Sequence, residues 1–196
     1  MNRQPGTQPS RGLTMTELLI TMAVSVILLA MAVPSMYEFV MRKRVQGAAD
    51  ELIGDLRFAR SAQVRDNRDI AVKFGRTGSE TCYVVYQPTS RLDCDCTATP
   101  VCESRGPASA IELKTVRLPI SAGVKILPAN GSDTKLVWDL VTGLAKDNVA
   151  INVEVLAASG GTVRITTSVT GRPQICSVSG HQGAYPACQT PTPSPS

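Results

Sequence analysis

"SRGLTMTELLITMAVSVILLAMAVPSMYEF", residues 10–39, is an apolar run that opens on a carboxylate, and its reading constrains everything after it. Residues 13–33 cover 21 positions, interrupted only by Thr14, Thr16, Glu17, Thr21 and Ser25. About 20 mostly apolar residues cross a bilayer as a helix, so the stretch predicts a membrane span. Glu17 fits a plain anchor poorly, because an ionisable group in lipid is costly and tends to be kept where it has a task. The residues ahead of the run, 1–12, are polar, with Arg3 and Arg11 and no acid. A secretory signal would end in a small-residue cleavage site; here Pro34-Ser35-Met36 leads on into helix-like sequence.

After Pro34 the pattern changes without breaking. Val45, Ala49, Leu52, Leu56 and Ala59 recur at helical spacing, with Ala48 and Ile53 alongside. Arg42, Lys43, Asp50, Glu51, Asp55, Arg57 and Arg60 fall largely elsewhere. That is one apolar face of an amphipathic helix. A continuous helix over residues 13–65 would be about 80 Å long at about 1.5 Å per residue. Pro34 should bend it, since proline removes a backbone donor and crowds the preceding turn. The first half, apolar all round, needs lipid or like helices; the second needs a sheet.

From Asp69 onward the signals are β. Candidate strands are 70–74, 82–87, 112–117, 124–127, 135–140, 150–156, 162–167 and 174–178, rich in Val, Ile and Thr and bounded by Gly, Pro, Asn and Asp. Gly160-Gly161 reads as a tight hairpin. Residues 88–110 carry three cysteines without a strand pattern, and "TPTPSPS" at 190–196 reads as a disordered tail. A helix followed by strands implies the α+β class: a long N-terminal helix packed on an antiparallel β-sheet domain.

The six cysteines, Cys82, Cys94, Cys96, Cys102, Cys176 and Cys188, all follow the span. An even number in that position favours disulfides and an oxidising compartment. Zinc is the weaker alternative, because paired CxxC spacing is lacking and His181 is the one histidine. Cys176 and Cys188 bracket a Gly/Ser-rich segment and are candidates to close it, although six cysteines allow fifteen connectivities. The triplet Arg42-Lys43-Arg44 would by charge alone be placed in the cytoplasm, which opposes the cysteines; the cysteines favour a C-terminal part outside it. No HExxH, P-loop or GxSxG is present, so neither catalysis nor a metal or cofactor is expected. Asp93 and Asp95, flanking Cys94, read as solvated. The formal charge of +4 is too mild to imply nucleic acid by itself.

Arg11-Gly12-Leu13-Thr14-Met15-Thr16-Glu17-Leu18 resembles the processing signal of type IV prepilins and type II secretion pseudopilins. The resemblance implies cleavage by prepilin peptidase between Gly12 and Leu13, with N-methylation at Leu13, which stands where Phe is usual. It makes Glu17 the assembly carboxylate, which would neutralise the new α-amino group of a neighbouring subunit. In low dielectric such a pair attracts strongly, although desolvation offsets much of this. Pro34, twenty-one residues past Leu13, matches a proline common in these helices.

The stretch at 55–74, "DLRFARSAQVRDNRDIAVKF", and Gly171-Arg172 before a late strand are similar to the FimT/GspH-like branch of minor pilins. This implies a leader at 1–12, a transmembrane and filament-core helix at 13–34, and an amphipathic half at 35–66. A periplasmic β-rich domain follows at 67–189, then the tail. The implied partners are prepilin peptidase, the inner membrane and other pilins or pseudopilins. FimT-like proteins hold DNA through a Gly-Arg-x-Arg segment; Arg172 matches its first arginine, while Gln174 replaces the second. With Arg164, it implies weak, nonspecific and salt-dependent contact with double-stranded DNA. Two functions stay open: a minor pilin of a type IV pilus, or a minor pseudopilin of a type II secretion system.

Overall fold

The structure, a computed structural model, describes residues 12, 14–89, 92–105, 108–128, 135–139, 144, 150–155, 161–168, 170, 172–179 and 185–188. Leader residues 1–11, Leu13, Gly160, Gly171, His181 and the tail at 190–196 lie outside the described residues. The chain divides into two compact units, Met1–Phe39 and Val40–Ser196. One helix, α1 (Met15–Asp66), begins in the first and ends in the second.

In the first unit α1 starts where Thr14 accepts a hydrogen bond from the Glu17 backbone N–H, 3.3 Å from its Oγ1. Thr14-Met15-Thr16-Glu17 is thus a helix N-terminus with an acid in its first turn, which complements the helix dipole. Every described side chain over residues 14–39 is exposed, among them Leu19, Val26, Leu28 and Met31. By length and composition this is a helix able to cross a membrane. Pro34 lies within α1, and its side chain is outside those described.

In the second unit the same helix buries a stripe. Val45, Ala49, Leu52, Leu56, Ala59 and Ala62 are wholly buried, with Ile53 nearly so. The helix ends at Asn67, whose φ of 51° is a left-handed conformation that asparagine tolerates.

Among the described residues ten antiparallel strands follow: β1 (Ile70–Arg76), β2 (Glu80–Gln87), β3 (Ser104–Arg105), β4 (Ala108–Ser109), β5 (Ile111–Pro119), β6 (Val124–Pro128), β7 (Lys135–Trp138), β8 (Ala150–Val155), β9 (Thr162–Thr167) and β10 (Pro173–Ser179). The antiparallel β-sheet domain expected after the helix is present, and among the described residues it is divided into two four-stranded sheets, ordered β5-β2-β1-β7 and β10-β9-β8-β6. Residues 88–110 also differ from expectation, since they hold the small hairpin β3–β4.

Both sheets feed one core against the helical stripe. Ile70, Val72 and Phe74 of β1 join Tyr83 and Val85 of β2, Leu136 and Trp138 of β7, Val124 and Ile126 of β6, and Val163 and Ile165 of β9. The register aligns them, with Ile70 opposite Trp138 and Phe74 opposite Tyr83. On the back of the first sheet Ala71, Cys82, Val84 and Tyr86 form a second cluster with Leu92, Cys94, Cys96 and Ala110. The cysteine-rich loop covers that face, which is why β2 is buried on both sides. Disulfides Cys82–Cys96 and Cys94–Cys102 fasten it. The packing is tight at Gly75, where a Cβ would stand 2.9 Å from the Cys96 sulfur.

Polar contacts add to the core. Asp55, 7% exposed, accepts from the Tyr83 hydroxyl at 2.6 Å and from Lys114 Nζ at 2.7 Å. Burial first, and then Asp55, push the Tyr83 phenol far above its usual range, while Asp55 raises Lys114. Gln63 donates to the Asp139 carbonyl at 2.7 Å, and Arg44 to that of Ala122 at 2.9 Å. The next residue, Gly123, has a left-handed φ of 79°, and a Cβ there would meet the Met41 sulfur at 3.0 Å.

Candidate functional site

Two regions carry the residues singled out in the sequence. In the first unit, Gly12 is exposed with open space around its Cα, and Glu17 is exposed in the first turn of α1. Its carboxylate has no hydrogen-bonding or ionic partner among the described residues. Farther along, Val33, Ser35, Met36 and Phe39 line a shallow, mostly apolar depression.

The second region is the end of the β9–β10 hairpin. The Ser168 N–H donates to the Arg172 carbonyl at 3.1 Å. Ser168 Oγ accepts from the Arg172 N–H at 3.3 Å and lies 2.8 Å from the Thr170 hydroxyl. These bonds fix the Arg172 backbone and leave its side chain exposed. It faces a cleft of about 630 Å³ lined by Arg57, Arg60, Thr170, Arg172 and Pro173. Arg60 donates to the side-chain oxygen of Gln63 and is thereby oriented. Among the described residues, the guanidinium groups of Arg57 and Arg172 have no hydrogen-bonding or ionic partner. None of the described lining residues is acidic.

Arg164 is placed differently. It sits on β9 opposite Cys176, away from the hairpin end, and does not line the cleft. The structure therefore does not join the two arginines read from the sequence. It joins Arg172 to Arg57 and Arg60, which the helical pattern places largely off the apolar face of α1. A signal was present: Arg57 and Arg60 are three apart and thus neighbours on the helix surface.

Beyond the hairpin, Cys176 is bonded to Cys188. The Ser177 N–H donates to the Pro186 carbonyl at 2.8 Å and the Cys188 N–H to that of Ser177 at 2.9 Å, so residues 186–188 run along β10. Tyr185 donates to Asp50 of α1 at 3.1 Å. Burial, then Asp50, push its phenol up to about 12.

All six cysteines are in disulfides. No group of three or more His, Cys, Asp or Glu among the described residues could hold a metal. Asp95, on the cysteine-rich loop, is held down to about 2 chiefly by the Thr97 hydroxyl, with help from Lys73 at 3.0 Å. Its neighbour Asp93 bonds Lys135 at 2.7 Å.

Comparison with known proteins bears on both regions. Residues 8–33 match the prokaryotic N-terminal methylation motif. Residues 48–180, more than half of the chain, match the family described as type II transport protein GspH. No curated protein and no solved structure matches the chain. An exposed apolar helix bearing the methylation motif thus precedes a β-domain of this family, and the chain belongs to it: a pilin or pseudopilin of the FimT/GspH kind.

Proposed function

We propose that the chain is a minor pilin of a type IV pilus. Prepilin peptidase cuts between Gly12 and Leu13, and the new Leu13 amine is methylated. The span at 13–34 holds the protein in the inner membrane, with the β-domain in the periplasm, until it joins other pilins in a filament. The observation that carries this reading is that every described side chain over residues 14–39 is exposed on a helix apolar enough to cross a membrane. Glu17 neutralises the α-amino group of a neighbour and so sets the register between subunits; Pro34 bends the span. Alone in lipid Glu17 is unfavourable, and in the filament it is compensated. The exposed Arg172 supports a further role in contacting DNA during uptake.

Glu17→Ala tests the assembly role. Processing of the leader, read by mass spectrometry, should be retained, while the amount in sheared filaments should fall at least about tenfold, the worth of roughly 1.4 kcal/mol. Normal incorporation would sink it.

A second reading, a minor pseudopilin of a type II secretion system, is favoured by the family description itself. Deletion of the gene separates the two. Loss of pilus-dependent motility or transformation supports the pilus, and loss of protein secretion alone supports the pseudopilus.

A further inference from the structure

We infer that Arg57 and Arg60 of α1 complete, with Arg172 of the β9–β10 hairpin, a cleft that binds the phosphodiester backbone of duplex DNA. The inference rests on the proposed DNA contact of Arg172 and extends it to two residues outside the C-terminal segment. The three arginines line one cleft of about 630 Å³, with no acidic residue among its described lining. Like charges brought together without counter-ions repel, and a bound anion relieves that repulsion. Their donors are available: Arg60 commits one to Gln63, and Arg57 and Arg172 commit none of their side-chain donors among the described residues. The backbone of Arg172 is meanwhile held by Ser168. A planar guanidinium matches two phosphate oxygens at once, which a lysine ammonium does not.

A lone carboxylate from a neighbouring protein would neutralise one of the three charges. A nucleic-acid backbone supplies a phosphate for each, at one charge per about 1.7 Å of duplex axis. Arg164, outside the cleft, is not part of the site.

The test uses the full chain in nonionic detergent and a fluorescent DNA duplex, with anisotropy measured across a salt series. For three phosphate contacts the log–log salt slope should be about −2.7. Arg57→Ala with Arg60→Ala should bring it to about −0.9 and weaken Kd at low salt by about tenfold or more. Arg57→Ala alone, at an exposed position, should lose about one third of the slope and guards against misfolding of the double variant. Lysine at both positions should restore most of the slope. Arg76→Ala, on β1, should change neither quantity.

If Arg172→Ala weakens binding while the helix variants do not, the hairpin contact stands and the cleft is overturned. If the unaltered chain does not bind DNA, both fall. If the double variant binds DNA normally but loses attachment to vesicles of anionic lipid, or entry into filaments, the cleft serves another anion and the inference is overturned.

Discussion

Leu28 and Leu52 are both leucines of α1, yet Leu52 is wholly buried and Leu28 is 62% exposed. The contrast extends to whole stretches. Over residues 14–39 every described side chain is exposed, whereas beyond Val40 each turn presents residues to the core. The acids differ in the same way: Glu17 has no described partner, while Asp55 has Tyr83 and Lys114. One stretch obtains its burial from its own chain. The other requires a covering from outside, either lipid or similar helices.

The sharpest way to break that contrast is to truncate both leucines. Leu52→Ala should destabilise the domain by about 2–5 kcal/mol, through lost burial and the cavity left behind. Leu28→Ala should leave domain stability within about 0.5 kcal/mol. Trp138, the single tryptophan and wholly buried, reports unfolding in urea with the chain in detergent. Equal losses at the two sites would show that the span is packed within its own chain.

The acids give a smaller effect. Asp55→Ala leaves the Tyr83 hydroxyl without its partner and should cost about 1–3 kcal/mol. Adding Tyr83→Phe should recover part of this, because the orphaned hydroxyl is then gone, and the same urea curves test both. A Glu17 substitution, by contrast, should move assembly and leave those curves unchanged.

The smallest effect concerns the C-terminal tether. The Tyr185 phenol is raised to about 12, so its contribution is complete below its ordinary value of about 10. It is lost as the pH rises through 12, when the phenolate would face Asp50. Hydrogen exchange of residues 185–188 should therefore rise, beyond the intrinsic increase, between about pH 10 and pH 12. Tyr185→Phe should abolish that dependence.

Much of this fold is legible in the residues. The stripe from Val45 to Ala59 has a period that only a helix satisfies, and the run Cys82 to Tyr86, apolar throughout, is what burial on both faces produces. The division into two sheets is not legible, since β1 beside β7 and β6 beside β8 are pairings between distant segments. Local pattern defines which residues face a core without saying which strand lies alongside. The candidate site divides similarly. Gly12, Leu13 and Glu17 lie within six residues of one another, so the resemblance to a prepilin signal that singles them out is carried by one short stretch. Arg57, Arg60 and Arg172 become neighbours only because the hairpin end folds beside α1, more than a hundred residues from Arg60.

The fastenings along the domain half of α1 have a mechanical consequence. Met41 rests against Gly123, Arg44 holds the Ala122 carbonyl, Asp55 holds Tyr83 and Lys114, and Gln63 holds the Asp139 carbonyl. A force drawn along the helix axis loads these points together, in shear, rather than one after another as in peeling. The buried leucines between them must slide past both sheets at once before any fastening is relieved. A filament pulled by its helices would thus transmit tension to each β-domain as a single body.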